Sequence, residues 1–137
     1  MGTQLAYASQ PLTEATRADG GDPARGRPDA VPSREVARAM VRVFKDCVGR
    51  GPGYARAYIH DDVIFVILRC TMTTAEQTLV DEGEEALVCS MRQALQGKLR
   101  GPASGIIERL TGRRVCASLS SYEVDEDTVV QTFILEG

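Results

Sequence analysis

The residues whose types and spacing could do chemistry fall into a few groups, and the first is a glycine-arginine loop. "GRGPGYARAY", residues 49–58, has the look of a phosphate cradle. Such a cradle needs backbone amides gathered at a helix N-terminus. Here Gly49-Arg50-Gly51-Pro52 leads out of a helix and into a strand, so the nearby dipole end is negative. Pro52 also removes one amide donor. The loop therefore reads as a helix stop and a turn. Arg50 keeps two uses: holding an anion through its side chain, or offsetting the helix C-terminus.

The second group is the ladder that follows. Tyr54, Arg56 and Tyr58 face one way in an extended run, while Ala55, Ala57 and Ile59 face the other. Such a ladder could stack on a nucleobase or on an aromatic of a partner. It also suits a half-exposed strand whose long side chains cover their neighbours. The chain is acidic overall, net charge −3, and nucleic-acid binders usually carry a basic face, so nucleic acid is not expected.

The remaining groups point to structure. His60-Asp61-Asp62 reads as a polar hairpin tip, since adjacent turn residues cannot build a catalytic triad. Glu76, Asp81, Glu82, Glu84 and Glu85 form an acidic run without a calcium-loop pattern, and a solvated helix face is expected. Cys47, Cys70, Cys89 and Cys116 include no close pair, and one histidine is a poor partner for zinc. Burial as small hydrophobes is expected of them, with no metal, no disulfide and a reducing cytoplasm. No residue set amounts to an active site; no catalysis and no cofactor are expected.

The elements that must position these residues follow from periodicity. Residues 1–31, rich in Gly, Pro, Ala and charges of both signs, read as a disordered tail. Residues 32–137 read as a single domain. Ser33 is placed to cap a helix, in which Val36, Met40, Val43, Phe44 and Cys47 make one stripe. Gly49 ends it. Strands at 54–59 and 63–70 form a hairpin, the second apolar enough to be covered on both faces. Thr73 and Glu76 make a capping box, so a helix starts near Thr74. Gly83 bends or interrupts it, and Leu87, Val88, Met91, Leu95 and Leu99 carry a stripe to about residue 99. Pro102 opens a third helix, with Ile106, Ile107 and Leu110 inward and Gly112 at its end. A second hairpin closes the chain.

The order is α-β-β-α-α-β-β, an α+β fold: an antiparallel four-stranded sheet built from two hairpins, with helices packed on one face. The two hairpins share a faint repeat, helix then Gly-Arg then hairpin, with "VGRG" matched by "TGRR". Hydrophobic residues at 43% support a core, and the absence of Trp with 5% aromatics makes that core aliphatic. A sheet covered on one side leaves its second face open, so a homodimer is expected. No apolar stretch reaches the roughly 18 residues of a membrane span, and the N-terminus has no secretory pattern. A soluble, cytoplasmic protein is expected.

One resemblance covers residues 33–136. "GRGP", "YIHDDVIFVILRC", "TMTTAEQTLV", "GEEALVCSMRQAL" and "IIERLTGRRVCASLSSYEVDEDTVVQTFIL" together resemble the MpsC-like family, small bacterial proteins also labelled Na+-translocating membrane-potential-generating system MpsC. Thr74 stands where relatives commonly carry Pro. The resemblance implies a cytoplasmic component linked to a two-part membrane system for cation-coupled inorganic carbon (bicarbonate) uptake. It brings no catalytic motif. The expected role is accessory or regulatory, peripheral at the membrane through transporter subunits. Arg50, Tyr54, Arg56 and Tyr58 are the expected contact residues. A small-molecule sensing domain for an anion or nucleotide is the alternative.

Overall fold

Helix α1 spans Ser33–Val48 in the computed structural model, which describes residues 31–137. Its stripe is the expected one: Val36, Ala39, Met40 and Phe44 are buried. Pro32, not Ser33, occupies the N-cap position, and Ser33 is already helical. Proline suits the place because no helical amide is asked of it there. Gly49 closes the helix in the left-handed conformation, φ 91°, its amide donating to the Lys45 carbonyl at 2.8 Å. The tail expected over 1–31 lies outside the described residues except for Val31, which packs against the core.

Strands β1 (Tyr54–His60) and β2 (Val63–Arg69) pair antiparallel around the Asp61-Asp62 turn. Helix α2 (Thr74–Asp81) starts at the expected capping box, with both reciprocal bonds made. Gly83, φ 81°, then stops the helix, and α3 begins afresh at Glu85.

The break expected at Pro102 does not occur. Helix α3 runs unbroken over Glu85–Thr111 with Pro102 inside it. Leu99 and Ala103 are both buried, so packing on either side of the proline overrides its local cost of about 3 kcal/mol. Lys98 and Pro102 are exposed, which leaves water at hand for the carbonyl that loses its helical donor. The stripe also rotates from the expected one. Val88, Arg92, Leu99, Ala103 and Ile107 face inward, while Leu87 and Met91 are exposed.

Strands β3 (Val115–Glu123) and β4 (Thr128–Leu135) complete a four-stranded antiparallel sheet of order β1-β2-β4-β3, with the helices on one side. The buried core lies between them: Ile64, Val66 and Leu68 from β2, Val129, Phe133 and Leu135 from β4, and the inner sides of α1 and α3. Among the described residues, strand β2 is covered on only one face. Phe65 points away from the helices and is 45% exposed. The cysteines also depart from expectation. Cys70 and Cys116 are exposed, Cys47 and Cys89 half-buried, and all four are free thiols.

The faint repeat is structural. Gly112 caps α3 as Gly49 caps α1, left-handed with an amide bond to the carbonyl four residues back. Arg50 then donates to the Met72 carbonyl beyond β2. Arg113 donates to the Glu136 carbonyl beyond β4, at 3.0 and 2.7 Å. In each half one arginine fastens the helix exit to the end of its own hairpin. The two halves meet where β2 pairs with β4.

Candidate functional site

The glycines of the opening loop have separate tasks. Gly49 supplies the left-handed cap. Gly53 makes room: a Cβ there would stand 2.9 Å from the Cys70 Cβ. Its amide donates to the Arg69 and Cys70 carbonyls at 3.0 and 3.1 Å. This fixes where β1 begins and where Arg50 sits. Arg50 is exposed, and its bond to Met72 holds the bend against the segment entering α2.

The ladder lies as its alternation requires. Ala57 is buried under α1, whereas Tyr54, Arg56 and Tyr58 are half-buried on the face away from the helices. With His60 they head four cross-strand rows on that face. Tyr54 stands beside Arg69, then Thr128 and Glu123; Arg56 beside Ile67, Val130 and Ser121. Tyr58 stands beside Phe65, Thr132 and Leu119, and His60 beside Val63, Ile134 and Ala117. The Arg69 guanidinium lies 5.7 Å from the centre of the Tyr54 ring. The middle of this face is apolar, with Leu119 at 58% exposure. Its β1 and β2 flank is basic at one end, and its β3 flank ends in an acid. Arg50 is not part of this face. The structure brings the other three expected contact residues together on it and leaves Arg50 at the rim.

His60, the last residue of β1, and Asp61, the first of the turn, form an exposed pair at 3.3 Å. The acidic run does not behave as one face. Glu76 is buried, and its partner Arg92 is buried with it. The Arg92 Nε donates to Glu76 Oε2 at 2.6 Å, and its Nη2 to Glu76 Oε1 at 2.8 Å and the Thr71 carbonyl at 3.0 Å. The guanidinium also lies 4.4 Å from the Tyr122 ring centre and 5.6 Å from that of Phe44. Asp127 sits beside this cluster, accepting from Thr71 Oγ1 at 2.8 Å, the Met72 amide at 2.9 Å and the Tyr122 hydroxyl at 3.3 Å.

The electrostatics agree with that geometry. Burial pushes the Glu76 carboxyl up, but Arg92 and the Thr73 amide and hydroxyl outweigh it, so Glu76 lies below the ordinary value. Burial likewise works against the Arg92 charge, and Glu76 more than offsets it. Burial, then the Asp127 carboxylate, raises Tyr122 well above an ordinary phenol. Tyr122 thus stays a hydroxyl donor. Both Glu76 oxygens are bound to Arg92 within the protein interior. The cluster locks α2, α3 and the ends of β2, β3 and β4 together, and it supplies neither a free base nor an activated nucleophile.

Glu76, Arg92 and Asp127 were not legible as a cluster. The signal was present for Arg92, which stands four residues after Val88 and seven before Leu99, on the inward stripe. A charge in that position asks for a buried partner. Asp127 reads as one of three acids in a turn, and only its left-handed backbone, φ 45°, brings its carboxylate over the end of β2. Among the described residues no group of His, Cys, Asp and Glu could hold a metal ion. No described helix is long and apolar enough to cross a membrane.

These features define a small α+β protein whose sheet presents one open, mixed aromatic and apolar face. The model of the MpsC family, Na+-translocating membrane potential-generating system (MpsC), matches residues 32–137, and this chain belongs to that family. No curated protein and no solved structure matches it.

Proposed function

We propose that this chain is a non-catalytic accessory or regulatory subunit of a Na+-linked membrane system that generates membrane potential, working on it from the cytoplasm. Inorganic carbon, as bicarbonate, is the cargo class this reading carries. The family match across 32–137 supports the link to a Na+-translocating membrane potential-generating system. The contact falls on the β1 edge and its rim. Strand β1 ends the sheet on one side, so its outer backbone groups can take an added strand from a partner. Arg50 flanks the start of that strand, and Tyr54, Arg56 and Tyr58 lie along it. Arg50 already donates to the Met72 carbonyl. That favours a positioned rim residue over the core of an anion sensor.

The test is affinity purification of the tagged chain from native membranes in mild detergent. Membrane transporter subunits should co-purify, and Ile59→Pro on the β1 edge should reduce their recovery while circular dichroism is kept. A purification that recovers the chain without any such subunit removes the proposal. Retained recovery with Ile59→Pro removes the β1 edge as its contact.

A further inference from the structure

Among the described residues, the open face of the sheet is the broad apolar surface that no helix covers. From its pattern we infer that this face is the interface of a homodimer, two copies stacked sheet to sheet about a two-fold axis that runs parallel to the strands between β2 and β4. The inference does not rest on the membrane partner proposed above; in the dimer that partner keeps the outer backbone groups of β1 and Arg50, while the side chains of Tyr54, Arg56 and Tyr58 face the second copy.

Three observations carry it. The first is apolar matching. Such an axis turns each cross-strand row onto itself in reverse, as an isologous contact requires. Ile67 then meets Val130 of the second copy, Val63 meets Ile134, and Tyr58 meets Leu119; each is on the open face. The second is charge. Arg56 and Arg69 lie on the β1 and β2 flank, and Glu123 at the end of the β3 flank. Reversal brings Glu123 of one copy over Tyr54 of the other, within one position of Arg56 and Arg69. An axis across the strands would instead lay Glu123 over Ala117 and Arg69 over Val63, bringing no opposite charges together across the interface. The third is area. A four-stranded sheet with strands of about seven residues is about 19 Å across and about 23 Å long. Two such faces bury roughly 900 Å², close to the about 1,000 Å² at the low end of a specific interface. Aligned stacking of two twisted sheets is a standard packing.

The dimer is tested on the full chain by size-exclusion chromatography with light scattering at micromolar concentration. The wild type should have twice the chain mass. Leu119→Glu, which sets a buried carboxylate against Tyr58 of the second copy, should raise the dissociation constant at least about thirtyfold, with an unchanged far-ultraviolet spectrum. Because one variant could simply misfold, charge reversal supplies a second arm. Glu123→Arg and Arg56→Glu should each weaken the dimer, and the two together should restore it. A monomeric wild type overturns the inference. So does a dimer that tolerates Leu119→Glu, or one whose charge reversals are not mutually rescued.

Discussion

The two faces of the sheet are built from the same four strands and carry opposite burdens. On the helix side, Ile64, Val66, Leu68 and Phe133 are wholly or almost wholly buried, and the buried ion pair of Arg92 and Glu76 closes one end. On the other side, Phe65 and Leu119 are about half exposed, and charge sits at the flanks. Alternation by twos along each strand makes the difference. One face settles whether the chain folds. The other is free to settle what the folded chain meets. Substitutions should therefore separate cleanly by face.

The largest effect is expected beneath the helices. Arg92→Ala leaves the Glu76 carboxylate buried without its partner, and urea unfolding should show a loss of about 3–5 kcal/mol. Replacing the pair together by Arg92→Met and Glu76→Leu should recover most of that loss, because the desolvation cost goes with the charges. If the double variant is as unstable as Arg92→Ala, the cluster does more than fill and pair.

At the rim the effect should be smaller. Gly53→Ala puts a Cβ 2.9 Å from that of Cys70, and overpacking of this kind costs about 1–3 kcal/mol. Smaller again is the exposed pair of Arg113 and Asp62. Asp62→Asn should cost no more than about 1 kcal/mol. An Asp62→Asn loss as large as that of Arg92→Ala would erase the distinction between the buried and the exposed pair.

Acid sharpens the same contrast. The folded-state pKa of Glu76 lies below its ordinary 4.5, so its share of stability is present above that value and is lost as pH falls through the folded pKa. Glu76→Gln should flatten the acid limb of the stability curve below about pH 4.5.

Much of this division was written in the chain. The ladder of Tyr54, Arg56 and Tyr58 against Ala55, Ala57 and Ile59 assigns the two faces of β1 correctly, because strand alternation is a local rule. Gly49, Gly112 and the Thr73–Glu76 box mark helix ends for equally local reasons. Misreadings come where a distant contact decides. Pro102 stays helical because Leu99 and Ala103 are both held in the core. Leu87 and Met91 look like core residues, yet Arg92 takes the inward position because Glu76 waits on another helix. Cys70 and Cys116 sit among apolar neighbours in sequence but are exposed near strand ends in space. For the contact residues, the sequence indicates the strand face and the structure shows that Arg50 stands apart from it.

The claim that the open face is for association is tested most directly by the concentration dependence of thermal unfolding. Association of folded copies ties the unfolding midpoint to mass action. The wild type should therefore show a Tm that climbs with protein concentration, and Leu119→Glu should show a flat one. A wild-type Tm that does not move with concentration would contradict the account.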